Sequence, residues 1–470
     1  MIFNSFVFWA FFAVVIALYW VLPFRAQNRM LIVAGYVFYG AWDWRFLGLL
    51  FMSTVVDYWV GRLLVTTDDP RRRKQILTVS IVFNLGVLGF FKYFDFGVAQ
   101  AAALLELLGF QAHFSTLSIL LPVGISFYTF QSMSYTIDVY RGKCQAVDRL
   151  EDFATFVAYF PPLVAGPIER AAHLMPQLMS PRHYRPGDFG DGLALVLFGM
   201  FKKVVVADNL APIVNRIFSQ PTAELTASEV LVGIYAFAFQ IYGDFSGYSS
   251  IAQGVSKWMG IDLMWNFKMP YFARNPSDFW QRWHISLSSY LRDYLYIPLG
   301  GNRHGAFKTQ RNLMLTMLIG GLWHGANWTF VFWGLWHGLL LVGYRLAGKD
   351  TPQPDKPWGL GDVVAAIVLF HFVCLGWLFF RAESMTQVFG MMWQLVANPA
   401  FTSYAGYALA MVAFFATPVM LYEWHVERRR DLMHVVRGPV LEQAVVYAYL
   451  VFMIVWFPPL ASQPFIYFQF

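Results

Sequence analysis

The run Gly320-Gly321-Leu322-Trp323-His324-Gly325-Ala326-Asn327-Trp328 sets one imidazole among glycines and tryptophans, inside a stretch from Asn312 to Tyr344 without a formal charge. A histidine titrates near neutrality and can take a proton from a hydroxyl, so His324 is a candidate general base. As one straight helix the stretch would run to about 50 Å, well beyond a hydrocarbon layer of about 30 Å. A break is therefore predicted, and the paired glycines Gly320-Gly321 are its expected place. Irregular backbone at membrane depth survives only where protein buries it or where it lines a wet cavity. His324 is accordingly expected at an intramembrane cavity, where an ionisable side chain is a functional candidate by default. The plainer reading is a ring hydrogen-bonded to a neighbouring backbone carbonyl. His337 would lie about 20 Å further along a continuous helix, so it is expected to be structural unless the chain folds back. Neither histidine has a second ligand at i+3 or i+4 and no cysteine is near, which disfavours a metal there.

Asp244, in Tyr242-Gly243-Asp244-Phe245-Ser246-Gly247-Tyr248, is the only charge between Glu229 and Lys257. A carboxylate in such surroundings needs a hydrogen-bonding or cationic partner, and helix capping or an ion pair is its structural reading. Ser246, His324 and Asp244 could be imagined as a triad, but no strained Gly-x-Ser-x-Gly turn supports it.

Positive charge is concentrated just before His324. Lys268, Arg274, Arg282, Arg292, Arg303, Lys308 and Arg311 face only Asp278 and Asp293, a net of +5 in a chain whose whole surplus is +6. Trp280, Trp283, Tyr290, Tyr294 and Tyr296 are interleaved with them. A helix starting near Pro276, capped by Asn275 or Ser277 and ended by Pro298 and Gly300-Gly301, would place Trp280, Trp283 and Leu287 on one stripe. Arg282, Ser286, Ser289 and Asp293 would form another. Such a helix reads either as an interfacial anchor or as one wall of a cytoplasm-facing funnel whose arginines receive an anionic ligand.

The elements that must carry these residues follow from composition. In 470 residues, 58% are apolar and only 13% charged, against roughly 25% charged in ordinary globular chains. A soluble enzyme is excluded, because so little charge cannot cover a water-facing surface. Nucleic acid is not expected as a partner, since no long basic run occurs, and Cys144 and Cys374 offer neither a disulfide framework nor a thiolate metal site. Long uncharged or nearly uncharged stretches predict an all-α polytopic membrane protein of about eleven spans in the lipid bilayer. The pieces are Met1 to Phe24, Phe46 to Thr67, Gln75 to Phe91, Leu107 to Ile137, Val230 to Lys257, Asn312 to Tyr344, Val363 to Phe380, Ser384 to Tyr422 and Gln443 onward. Met1 to Phe24 carries no charge, so no basic leader of a cleaved signal peptide is expected. Arg25 and Arg29 follow it, which puts the N-terminus outside and the first loop in the cytoplasm. The basic stretches Asp68 to Lys74 and Glu423 to Arg437 are expected on the cytoplasmic side as well. Gly348 to Gly361 reads as a plain loop, and Pro161 to Arg170 as a turn or re-entrant segment. No fixed repeat or inverted pair of broken segments is visible, which disfavours a repeat-built transporter.

Several long motifs now come together: Phe279-Trp280-Gln281-Arg282-Trp283-His284-Ile285-Ser286-Leu287-Ser288, Leu291-Arg292-Asp293-Tyr294-Leu295-Tyr296, Leu299-Gly300-Gly301-Asn302-Arg303, Gly320 to Asn327, Asp244 to Tyr248 and Ala165-Gly166-Pro167. Leu121-Pro122-Val123-Gly124-Ile125-Ser126-Phe127-Tyr128 and Asp138-Val139-Tyr140-Arg141-Gly142 add to them. With these the chain resembles the membrane-bound O-acyltransferase family, in the branch that serves alginate-type polysaccharide O-acetylation. The matches are dense over residues 1–345 and thin beyond. The resemblance implies a single integral-membrane domain over 1–470, with a catalytic core at about 115–345 and further helices at about 361–470. It also implies a cytoplasmic funnel and an outer cavity joined near the family histidine, which maps onto His324. His284 matches the second family position and would orient the acyl donor or donate to its carbonyl oxygen. Trp283, Asp244 and Asn327, within the matching motifs, are expected at the substrate site; from their charge rather than from the resemblance, Arg282, Arg292 and Arg303 are expected to meet the phosphates of coenzyme A.

The implied activity is transfer of an acetyl group from cytosolic acetyl-CoA across a bacterial inner membrane toward an exported polysaccharide, directly or through periplasmic acetyltransferase partners. No tightly bound cofactor or metal is expected. Two rivals stand beside it: D-alanyl or other acyl transfer to a cell-envelope polymer, and a transporter that moves an acyl donor without chemistry.

Overall fold

A computed structural model of the chain describes residues 1–110, 117, 119–351, 358–459 and 463–468. Among them every regular element is helical and none is a strand, as the expected all-α class requires. Parts of three expected segments, at 111–116 and 118, 352–357, and 460–462 with 469–470, lie outside the described residues. Among the described residues, five helical stretches are long and apolar enough to cross a membrane: Phe24–Thr66, Pro70–Leu107, Ala227–Trp258, Leu360–Arg381 and Ser403–Arg429. Phe6–Val21 and Val440–Trp456 are shorter apolar helices. Large apolar side chains such as Phe6, Val21, Leu107, Leu360, Val440 and Trp456 point outward, which suits lipid contact rather than water.

The chain divides into two compact units, residues 1–193 with 251–264, and residues 194–250 with 265–470. The first unit holds α1 (Phe6–Val21), α2 (Phe24–Asp43), α3 (Leu47–Thr66), α4 (Pro70–Leu107), α5 (Ile125–Tyr140), α6 (Leu150–Ala158), α7 (Phe160–Leu163) and α8 (Ala171–Leu178). Its one deeply placed carboxylate on α3, Asp57, is 0% exposed. Ser80 donates to it at 2.6 Å, Asn84 at 2.9 Å, and Ser132 donates as well, so α4 and α5 satisfy the charge that α3 carries. Buried charge persists only where such partners exist. The segment expected as a turn around Pro161 to Arg170 ends on Glu169, fully buried, bonded to His173 at 2.8 Å and accepting from the Met264 amide at 2.7 Å.

Two helices, α9 (Asp188–Met200) and α11 (Ala227–Trp258), are divided between the units. The second unit also contains a π-helical turn at Phe201–Ala207, α10 (Asp208–Ser219), α12 (Pro276–Arg282), α13 (Ile285–Leu291) and a π-helical turn at Arg292–Tyr296. After these come α14 (Ala306–His324), α15 (Trp328–Leu346), α16 (Leu360–Arg381), α17 (Met385–Ala397), α18 (Ser403–Arg429), α19 (His434–Arg437) and α20 (Val440–Trp456). The uncharged run from Gln443 is α-helical to Trp456, and a short 3-10 turn follows at Ile466–Phe468.

Two expectations about helix geometry are corrected. The paired glycines Gly320-Gly321 lie inside α14, and the break falls just after His324, at Gly325-Ala326-Asn327. So short a connection forces α15 back alongside α14 as an antiparallel neighbour. The glycines serve that close approach instead: a Cβ on Gly321 would sit 2.2 Å from the Phe330 carbonyl oxygen, and one on Gly334 would sit 2.3 Å from that of Met317. The second correction concerns the amphipathic helix. Asn275 caps it as one of the two expected residues, accepting from the Asp278 amide at 2.8 Å, but it stops at Arg282. Trp283 is extended and His284 is left-handed at φ 43, so α13 begins in a new direction. Ser286, Leu287 and Tyr290 are buried along with Trp283 and His284, which is the burial of a core element rather than of a surface anchor.

Candidate active site

His324 is the last residue of α14 and is 4% exposed; His284, between α12 and α13, is 1% exposed. Their ring centroids are 6.4 Å apart, close enough for one small group to meet both imidazoles. His324 is set by edge-on contacts with Trp323 at 5.0 Å, Trp333 at 4.9 Å and Phe380 at 5.1 Å. Phe245 of α11 holds His284 at 4.6 Å. The walls are therefore aromatic, and a site of this kind strengthens each hydrogen bond made inside it. A left-handed non-glycine residue costs energy and persists only where its surroundings fix it. At His284 the reward is direction: the turn swings the imidazole toward His324 while the preceding side chain is buried elsewhere.

That preceding side chain is Trp283. Its ring lies against Trp377 at 4.7 Å, Phe267 at 5.0 Å and Phe279 at 5.7 Å, a core position behind the histidine. His337 is nearer the site than a straight helix would allow, because the chain folds back at Gly325. Trp333 contacts the rings of both His324 and His337, and a Cβ on Gly376 would meet His337 Nε2 at 2.7 Å.

Asn327 caps α15: its side chain accepts from the Thr329 amide at 3.0 Å and donates to the Glu383 carbonyl at 2.9 Å. It thereby fixes the three-residue connection that follows His324. Arg282 is engaged by two carboxylates, Asp278 at 2.7 Å and Glu427 at 2.8 Å. Arg292 pairs with its neighbour Asp293 at 2.7 Å at the surface, and Arg303 is exposed.

Asp244 has the cationic partner its setting demanded, and that partner is a lysine. Lys203 Nζ lies 2.6 Å from Asp244 and 2.8 Å from Asp208, and it donates to the Gln463 carbonyl at 3.2 Å. The other Asp244 oxygen accepts from the Ile466 amide at 2.6 Å. A segment far down the chain is thereby strapped to α11. Phe465 rests on Tyr248 at 4.9 Å, and Tyr467 reaches Phe245 at 4.8 Å, His324 at 5.7 Å and His284 at 6.4 Å. Sequence reasoning missed Lys203 and Tyr467. The available signals were a lysine pair, Lys202-Lys203, in an apolar run, and Pro464, which excludes a continuing helix. Replacing Asp244 by Ala is expected to cost up to about 3–5 kcal/mol, the usual cost of stripping one partner from a buried ion pair, lessened by the charge Asp208 still supplies. Thermal unfolding of the detergent-solubilised protein measures it, and Asp244→Asn, which keeps the acceptor for Ile466, should lose less.

Comparison with known proteins places the chain in a family. The model of the membrane-bound O-acyltransferase family matches residues 149–355. The probable alginate O-acetylase AlgI of Azotobacter vinelandii is 43% identical over 394 residues, covering 83% of this chain and 77% of that protein. The chain belongs to the membrane-bound O-acyltransferase family. A peptidoglycan O-acetyltransferase of Helicobacter pylori is 35% identical over 82% of the chain and 78% of that protein, and a teichoic acid D-alanyltransferase of Bacillus subtilis is 27% identical over 58% and 72%. As a member of this family the chain is a multi-pass membrane acyltransferase. Both histidines, Asn327 and Asp244 lie within the matched residues, whereas Tyr467 and the rest of its segment lie beyond them.

Proposed function

We propose that this acyltransferase takes an acetyl group from cytosolic acetyl-CoA and delivers it on the far face of a bacterial inner membrane, toward an exported alginate-like polysaccharide, directly or through periplasmic acetyltransferase partners. The observation that carries the reading is the pair of buried imidazoles, His324 and His284, facing one another across 6.4 Å between aromatic walls. Relatives named for O-acetylation of alginate and of peptidoglycan support the acetyl group and the polymer.

In this reading the thioester carbonyl lies between the two rings. His324 takes the proton of the acceptor hydroxyl as its oxygen attacks, and His284 donates a hydrogen bond to the carbonyl oxygen as it gains charge. The C–S bond then breaks, and the proton on His324 passes to the departing thiolate. One C–O bond replaces one C–S bond, and no other reagent is consumed. Trp283 backs His284, Asn327 fixes the connection after His324, and Asp244 holds residues 463–467 against the site. Arg292 and Arg303, exposed on the segment of net +5, are the cations that meet the coenzyme A phosphates. Arg282, already held by Asp278 and Glu427, fixes α12 from behind. The N-terminus lies outside and the basic loops in the cytoplasm.

Proteoliposomes holding the purified protein test the donor. Acetyl-CoA should be consumed with release of free coenzyme A, and a D-alanyl carrier-protein thioester should not. The opposite preference overturns the reading in favour of D-alanyl transfer. Tyr467→Phe keeps the ring that packs on both histidines and removes only the hydroxyl. The ring's contacts with Phe245, His284 and His324 stay in place, so acetyl transfer is expected to fall less than in Tyr467→Ala, which removes the ring itself.

A further inference from the structure

Away from the catalytic histidines, three other metal-capable side chains converge. His425 stands near the end of α18, His434 opens α19, and Glu442 lies in the first turn of α20. His425 Nε2 is 3.0 Å from Glu442 Oε1, and His434 Nε2 is 3.9 Å from the same oxygen. The two imidazole centroids are 5.2 Å apart, and one ligand atom from each of the three side chains falls within 4.8 Å of the others. A tetrahedral zinc ion with bonds of about 2.0–2.2 Å keeps its ligands roughly 3.3 Å apart, so side-chain adjustments of an ångström or less close this set around an ion.

We propose that His425, His434 and Glu442 bind one zinc ion, which ties α18, α19 and α20 together. Two imidazoles and one carboxylate form a borderline-soft donor set that suits zinc, whereas magnesium and calcium take oxygen ligands throughout. The side chains are 42%, 21% and 28% exposed, so an ion can enter from solvent and a water can fill the fourth position. On the other side His425 and Glu442 border an apolar cavity of about 450 Å³ lined by Phe198, Tyr422, Val435, Val445 and Leu450. Without metal, the same contacts amount to a His425–Glu442 ion pair beside a second imidazole, and this is the alternative the experiment separates.

The ligands are nine and eight residues apart on three elements, a spacing that matches none of the short-range metal motifs. The role is structural, and it stands independently of the acyl-transfer reading. The test uses the full chain in detergent, purified without a polyhistidine tag, stripped with EDTA and then titrated with zinc sulfate. One zinc per chain is expected to survive gel filtration. X-ray absorption should show two imidazoles and oxygen at about 2.0–2.2 Å, and magnesium should not compete. His434→Ala and Glu442→Gln should each weaken zinc binding at least tenfold, and the zinc-dependent rise in melting temperature should vanish with them. Less than stoichiometric zinc in the wild type, absorption without imidazole, or equal binding in wild type and both variants overturns the proposal. Should a variant fail to fold, the stoichiometry and the absorption spectrum of the wild type still decide.

Discussion

His324→Ala is expected to lower acyl transfer by about 10²–10⁴-fold, the range that a positioned general base contributes, with protein yield and detergent-phase behaviour unchanged. The reason is local. His324 ends α14, its ring touches Trp323, Trp333, Phe380 and Tyr467, and alanine leaves those aromatic neighbours around a gap without altering the helix break. A loss of kcat with little change in the Michaelis constant for the donor marks a group that acts in the transition state. His284→Gln separates the second role: it keeps a hydrogen-bond donor near the carbonyl and should fall less steeply. If membranes carrying His324→Ala transfer acyl groups at the wild-type rate, His324 is not the base and the mechanism fails.

The second large effect is on assembly. Gly321→Val should prevent α14 and α15 from closing, because a Cβ at Gly321 already lies 2.2 Å from the Phe330 carbonyl oxygen, and backbone on a paired helix cannot swing aside as a side chain can. Overpacking usually costs about 1–3 kcal/mol and occasionally more; here the obstructing atoms place the cost at or above the top of that range. Gly343→Ala, on the same α15 but with nothing within 4 Å of its Cβ, is the control and should be neutral or slightly stabilising. Monodispersity on size exclusion and thermal unfolding measure both. Equal behaviour of the two variants would mean that the glycine contact does not hold the hairpin.

Much of the architecture was legible because it rests on composition and chain length. A charge shortage of this size leaves lipid as the only adequate environment, and an uncharged stretch of 33 residues containing His324 had to bend somewhere. The bend came a few residues later than the glycine pair suggested, since Gly320 and Gly321 are spent on helix contact. The expected stripes of α12 and α13 failed for a different reason. Helical periodicity assumes continuous helix, and nothing in the spacing of Trp280, Trp283 and Leu287 announces that His284 will adopt φ 43. Arg282 reads as a free cation until Glu427, 145 residues away, is brought to it. Tyr467 is the extreme case: its place depends on Asp244 holding Ile466 across 222 residues, a contact with no local signature at either end.

On the proposed reading of the site, the strap from Asp244 to Ile466 also sets when the enzyme can first work. His284 and His324 leave the ribosome well before Tyr467, and at about 5–20 residues per second the interval is on the order of ten seconds. Throughout that interval a nascent chain already inserted in the membrane lacks one wall of its site and the peptide group that Asp244 binds. Chains released before Tyr467 is made should therefore be catalytically silent on that reading.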